Sequence, residues 1–307
     1  MFKNWMRKAR PALLMLVVTA LTGAATPAMA GLRVFATLPE WAALAQVIGG
    51  DSVKVFAATH ERQDPHFVSA RPSLIAQARQ ADLLVANGAD LEIGWLPAVL
   101  NASGNRAIHP GQAGYFEAAR QVVLREVPAV VDRAHGDVHP GGNPHFGLDP
   151  RNLLRVGEAL AAQMAQLDPA HAAQFAANWQ AFAKRWQGAI DAWSAEAGVL
   201  RGSVVVEHHT AYPLAHWLGL ERLGALEPKP GVAPTSAHLA GLRTRMADTA
   251  VRAILRPPYT SEAPGQWLAE ATGVPLLIVP IAPAEDSEHG LRAWMSGIVS
   301  ALVKARP

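Results

Sequence analysis

The chain has 307 residues, with 27 Lys and Arg against 25 Asp and Glu, twelve His and no Cys. That length suits two ordinary domains, and the lack of Cys excludes disulfides and thiolate metal sites, so nitrogen and oxygen must hold any bound metal. Four of the basic residues (Lys3, Arg7, Lys8 and Arg10) lie in the first ten positions; without them the formal charge turns from +2 to −2, which excludes the basic surface a nucleic-acid binder needs.

Residues 1–30 read as a secretory signal. The basic start is followed by an apolar stretch from Ala12 to Ala24, too short to span a bilayer comfortably, and by an Ala28-Met29-Ala30 cleavage site. No lipobox Cys is present, so the expectation is a cleaved leader and a freely diffusing periplasmic protein, not a lipid-anchored one.

After the leader, Leu32 to Thr37 predicts a strand, Glu40 to Ile48 a helix closed by Gly49-Gly50, and Val53 to Ala58 a second strand. Pro72 to Ala81 predicts a helix, Asp82 to Ala86 a buried strand, and Leu91 to Leu100 another helix. This alternation implies a parallel α/β lobe. From Asn152 apolar residues recur at helical spacing through Leu153, Val156, Leu160 and Met164, and Asp168-Pro169 breaks the run. A second helix then carries Phe175, Trp179, Phe182, Trp186, Ile190 and Trp193 on one stripe, read as core packing. At close to thirty residues it would be roughly 40 Å long, which suits a stiff connector between lobes. Strands at Val204–Val206, Ala253–Leu255 and Leu276–Val279 alternate with helices at Ala237–Met246 and Ala263–Thr272 in a second α/β set. The expected division is a leader (1–30), an N-terminal lobe (31–167), a linker helix (168–198) and a C-terminal lobe (199–307).

Histidine carries the chemical signal. In open α/β sheets a ligand sits beyond the carboxyl ends of the strands. His66 follows the second strand, His145 stands in Asn143-Pro144-His145-Phe146, His208 and His209 end the Val204 strand, and Asp286 follows the Leu276 strand beside Glu285. Imidazole and carboxylate donors drawn from both halves suit tetrahedral Zn²⁺, whereas a second carboxylate would suit Mn²⁺ better. Adjacent strand residues face opposite sides, so one of His208 and His209 is expected to reach the metal. Asp149 and Glu207 are read as supporting groups, and Glu227-Pro228-Lys229-Pro230-Gly231 as a rigid turn.

Several motifs together resemble the ZnuA/TroA-type metal-receptor family of ABC importers, and more closely its zinc-binding AztC branch. They are Asp64-Pro65-His66 with Arg71-Pro72-Ser73, Ala81-Asp82-Leu83-Leu84 with Asn87-Gly88, Leu91-Glu92 with Trp95-Leu96, Gly142-Asn143-Pro144-His145 with Leu148-Asp149-Pro150, Trp217-Leu218-Gly219-Leu220, and Glu227-Pro228-Lys229-Pro230-Gly231. The resemblance implies two parallel-sheet lobes joined by one long helix, and Zn²⁺ held by His66, His145 and a histidine at the end of the Val204 strand. It places an acid after the last long strand, for which Asp286 is chosen with Glu285 behind it. Counting from Trp217-Leu218-Gly219-Leu220 favours His208, and counting from the turn before Tyr212 favours His209. The loop His135-Gly136-Asp137-Val138-His139 resembles the His-bearing loop of zinc-specific members, and implies Zn²⁺ gathering or acceptance from a periplasmic metallochaperone. The implied protein is a monomeric, non-enzymatic receptor that serves a membrane permease. The rivals are an Mn²⁺ or Fe²⁺ receptor of the same family and a zinc hydrolase, which would need three protein ligands and an open position.

Overall fold

The structure is a computed structural model that describes residues 31–129 and 139–306. The expected leader and His135 fall outside the described residues. Two four-stranded sheets, all parallel, account for the strands. The first contains β1 (Leu32–Ala36), β2 (Val53–Ala57), β3 (Leu83–Ala86) and β4 (Tyr115–Glu117), in the order β2-β1-β3-β4. The second contains β5 (Val204–Glu207), β6 (Glu221–Ala225), β7 (Val251–Arg256) and β8 (Leu276–Ile278), in the order β6-β5-β7-β8. Each half thus repeats the order second, first, third, fourth. In each the chain reverses direction across the first strand, and that switch opens a crevice at the carboxyl ends.

The crossover helices are α1 (Pro39–Gly49), α2 (Pro72–Gln80) and α3 (Leu96–Ser103) in the first half. In the second they are α6 (Tyr212–Leu218), α7 (Ser236–Ala247) and α8 (Ala263–Thr272), and α9 (Glu288–Lys304) follows the last strand. Between the halves lie α4 (Pro150–Leu167), N-capped by Asp149, and the 25-residue α5 (Ala172–Glu196). The Phe175, Phe182, Trp186, Ile190 and Trp193 stripe of α5 is buried. The helix packs on α4, α1 and α9, and the largest hydrophobic core runs without a break from Leu32 through this stripe to Leu302. A connector embedded in one shared core resists wide hinge motion, because close-packed interiors do not deform continuously.

The Leu91–Leu100 helix expected from sequence starts later, at Leu96. Its place is taken by a turn in which Gly88, Ala89 and Asp90 all have positive φ (80°, 53° and 58°). Two successive non-glycine residues there cost of order 1–2 kcal/mol each. A buried carboxylate holds the turn. Glu92 accepts from Asn87 N (2.7 Å), Gly88 N (3.1 Å) and Thr37 Oγ1 (2.5 Å). No described helix is long and apolar enough to cross a membrane.

Candidate metal centre

The carboxyl ends of the two sheets border one cavity of about 240 Å³, whose wall includes Asp64, His66, His139, His145, His208 and Glu227. Its donors come from separate stretches of the chain: the loop after β2, the segment leading to α4, and the ends of β5 and β6.

His66 is fixed by a local turn. Asp64 Oδ1 accepts both the His66 backbone N–H (3.0 Å) and its ring Nδ1–H (2.8 Å), and Trp95 Nε1 anchors the loop through Pro65 O (3.0 Å). Burial raises the Asp64 pKa, but the His66 ring and backbone donors outweigh it and hold the carboxyl below the usual range. A carboxylate on Nδ1 leaves Nε2 as the basic nitrogen facing the cavity. His145 follows Pro144, whose carbonyl accepts from Asn87 Nδ2 (3.0 Å), and its own N–H donates to Asn143 Oδ1 (3.0 Å). Its ring meets His66 edge-on, with centroids 5.3 Å apart. Desolvation, then the neighbouring histidines, push the His145 pKa well below the ordinary value, so the ring is neutral and able to bind a cation. His139 completes this wall, with Nε2 3.2 Å from His66 Nε2.

Across the cavity, His208 is buried at the end of β5. Its Nδ1 accepts the Thr210 N–H (3.4 Å), so the ring proton sits on Nε2, 3.4 Å from Glu227 Oε2. Glu227 also accepts the Gly231 N–H at 2.9 Å. Burial pushes its carboxyl up, but His208 and Gly231 hold it below the usual range. His209 also borders the cavity, but its Nε2 points to the Glu227 carbonyl (3.3 Å) and its own carbonyl accepts from Asn143 Nδ2 (2.9 Å). Burial and then His208 lower its pKa. Tyr259, after β7, faces His208 edge-on with centroids 6.5 Å apart, and its buried hydroxyl has no hydrogen-bond partner among the described residues.

The structure does not bring Asp286 or Glu285 to the histidines. Both are exposed and absent from the cavity wall. β8 is the outer strand, two positions from β5, which is about 10 Å at ordinary strand spacing. The charge of Asp286 acts on Glu40 instead, a buried carboxyl that desolvation, with Glu92 and Asp286 adding, pushes up to about 8. Asp149 and Glu207 play structural parts: Asp149 caps α4 and pairs with Arg151 (2.6 Å), and Glu207 pairs with Arg222 (2.7 Å). The Glu227 turn, read from its prolines as a rigid turn, also presents a carboxylate to His208. Nothing in its Pro-rich composition signalled that. As the side chains stand, no three donors among the described residues close on a single ion-sized point.

Comparison with known proteins fits this architecture. The family model for "Zinc-uptake complex component A periplasmic" (ZnuA) matches residues 34–305. Among curated proteins, the iron-binding protein YfeA of Yersinia pestis is 29% identical over 48% of this chain and 43% of its own length. The high-affinity zinc uptake protein ZnuA of Bacillus subtilis is 24% identical over 68% of this chain and 66% of its own. The chain thus spans under half the length of YfeA, and about a third of the Brucella ZnuA proteins it also matches. A crystal structure of ZnuA superposes with a TM-score of 0.72 at 19% identity, covering 90% of this chain and all of that one. FpvC of Pseudomonas aeruginosa, solved with Ni²⁺, gives 0.70 at 21% identity over 89% and 96%. These neighbours share the two-lobed fold with its long helix. With the family model covering nearly all of the described residues, the chain belongs to the ZnuA family, whose members are metal-binding receptors and not enzymes.

Proposed function

We propose that the protein captures Zn²⁺ in the cleft between its lobes and delivers it to the permease of an ABC importer. The observation that carries this reading is that His66, His145 and His208, from three distant segments of the chain, line one cavity. Imidazole-rich donor sets with an accompanying carboxylate favour Zn²⁺. His208, buried and directed into the cavity, is the third ligand, and His209, turned to the Glu227 carbonyl, is not. Glu227 replaces Asp286 as the acidic ligand, because it already faces His208.

Binding requires a small closure of the lobes that brings His208 toward His66 and His145, and a shift of the His208 ring proton from Nε2 to Nδ1, where Thr210 Oγ1 at 3.3 Å can accept it. The shared core around α5 keeps that closure modest. Residues 1–30 act as a cleaved leader and the receptor works in the periplasm as a monomer, with 31–167 and 199–307 as its lobes. The segment around His135 and His139 is where a zinc metallochaperone hands over its ion.

One observation favours a second reading. Asp64 and Glu227 both border the cavity, and two carboxylates would suit Mn²⁺ or Fe²⁺. YfeA is described as iron-binding, and FpvC has been solved with Mn²⁺. Metal analysis of the purified protein, with competitive titration of Zn²⁺ against Mn²⁺ and Fe²⁺, decides between them. Zn²⁺ should bind far more tightly, and a preference for Mn²⁺ or Fe²⁺ would overturn the zinc reading.

A further inference from the structure

We propose that the Tyr259 hydroxyl locks the loaded receptor by donating a hydrogen bond across the cleft to the Asp64 carboxylate that positions His66. The inference rests on the metal-receptor reading above and deepens it. It gives a part in retaining the ion to a residue that need not touch the ion.

Tyr259 carries an orphaned donor. Its hydroxyl oxygen is buried and has no hydrogen-bond partner among the described residues, although the side chain borders the cavity that holds the histidines. A buried hydroxyl without a partner is unfavourable and uncommon, and a partner gained in a second state accounts for it. The side chain is also deliberately placed. Tyr259 stands in the loop after β7, the strand next to β5 in the second sheet. The buried Arg256 guanidinium holds that loop from inside. Its Nη1 donates to Pro257 O and to Thr260 O, each at 3.1 Å, and Thr260 Oγ1 donates to Pro257 O at the same distance. The nearest carboxylate, Glu262, is 3.4 Å from Arg256 and largely exposed. A buried cation resting mainly on carbonyls is costly, and what it secures is the short arc that presents Tyr259.

The cavity offers the phenol two carboxylates, Asp64 and Glu227. Glu227 stands on the same side as Tyr259, so a bond between them need not wait for closure, and none is made. Asp64 stands on the opposite side. Its Oδ1 takes both the backbone and the ring contact of His66, and no hydrogen bond among the described residues uses Oδ2. Tyr259 meets the His208 ring edge-on, with centroids 6.5 Å apart, so a movement that carries His208 toward His66 carries the phenol toward Asp64. A phenol keeps its proton near neutral pH, and burial, followed by the charges of Asp64 and Glu227, raises the Tyr259 pKa further. It therefore enters as a donor and not as a ligating phenolate. A bond made only in the closed form is the differential contact that shifts an equilibrium toward that form. It also fixes the carboxylate that aims His66.

The test uses the full mature chain with Zn²⁺ as the probe. Tyr259→Phe removes one oxygen and keeps the ring. It should leave the melting temperature of the metal-free protein unchanged or slightly higher. It should weaken Zn²⁺ binding by about 10-fold, the lower end of what an outer partner contributes, through faster release and not slower capture. In double-mutant cycles Tyr259→Phe should add little to Asp64→Asn and its whole effect to Glu227→Gln. With all three tyrosines ¹³C-labelled at Cζ, loading should move the Tyr259 resonance and leave it in the phenol range. A phenolate resonance, full additivity with Asp64→Asn, or a lower melting temperature of the metal-free variant would each overturn the inference. If Tyr259→Phe binds and releases Zn²⁺ like the wild type while His66→Ala loses its affinity, the inference falls and the receptor reading stands. If His66→Ala also binds like the wild type, the receptor reading falls with it.

Discussion

The two sides of the cleft are built differently. On the N-terminal side the rings of His66 and His139 are pinned by Asp64 and Ala89 at 2.8–2.9 Å, and the backbone that carries His145 is held through Asn143 and Pro144 at 3.0 Å. On the C-terminal side His208 is held by contacts of 3.3–3.4 Å to Thr210 and Glu227. A pinned ligand set needs little reorganisation when the ion arrives, whereas a loosely held one can move to meet it. The comparison implies that the N-terminal side makes first contact with the ion and the C-terminal side closes on it.

The largest effect should therefore come from the pinned side. His66→Ala or His145→Ala should weaken Zn²⁺ binding by more than the roughly 10–100-fold typical of an outer partner, with His208→Ala less severe. Competitive chelator titration gives the ranking, and the comparison breaks if His208→Ala proves the worst of the three. Melting curves provide an independent check. Zn²⁺ at a hundred times its Kd should stabilise the wild type by about 2.7 kcal/mol, and the His66 and His145 variants should lose that gain at the same concentration.

Asp64→Asn should come next. The amide can still accept from the His66 backbone, but it no longer supplies the charge that makes Nε2 a strong donor. A loss of about 10–100-fold is expected. An unchanged affinity would mean that Asp64 serves the turn alone.

The fold was far more legible in the sequence than this asymmetry. Strong period-two and 3.6-residue patterns gave the inner strands β1, β3, β5 and β7 and the helices α1, α2, α4, α5, α7 and α8. The outer strands β4 and β6 passed unread, because three residues such as Tyr115–Glu117, or a polar run such as Glu221–Ala225 with Gly224 inside it, carry no alternation to detect. The start of α3 was placed too early because Leu91 and Glu92 look helical, and only the tertiary hold of Glu92 on Asn87 and Gly88 makes a left-handed turn there. Histidines at strand ends could be read from position alone. Their carboxylate partners could not: Asp64 and Glu227 sit in Pro-containing turns whose composition speaks only of rigidity. Asp286 was favoured because it is close in sequence to a strand end, but its side chain is exposed and does not line the cavity that holds the histidines.

A pH experiment sharpens the comparison from beneath the pinned side. Glu40 shares a small cavity with His145, Ile281 and Ala282. Burial first, and then Glu92 and Asp286, raise its pKa from 4.5 to about 8. Across that window the folded state holds a proton that the unfolded chain has released. Its contribution to stability is thus complete below about pH 4.5 and lost as pH rises through 8. His145 has the opposite sign, because its folded pKa lies below 6.5 and its contribution is lost as pH falls under that value. For the metal-free protein, Glu40→Gln should flatten the fall in melting temperature between pH 6 and 8 and leave the acid limb unchanged. A slope equal to that of the wild type would mean that Glu40 is ionised in the folded state.

The smallest effect is expected where the two sides already touch. Glu126, on the N-terminal side, pairs with Arg222 of β6 at 2.8 Å, and Arg222 in turn pairs with the buried Glu207 and lies 4.3 Å from the Tyr212 ring. Both partners of the cross-cleft pair keep about a third of their side-chain surface exposed, so solvent screens it. Glu126→Gln should cost no more than about 1 kcal/mol of stability in denaturant titration, since Arg222 retains Glu207 and the aromatic face. Its effect on Zn²⁺ affinity carries the information. If closure is a small approach of the His208 side, loss of one screened pair should leave the affinity essentially unchanged. If the affinity falls as steeply as in Asp64→Asn, the pair is part of the closed state, and the C-terminal side is as firmly placed before binding as the N-terminal one.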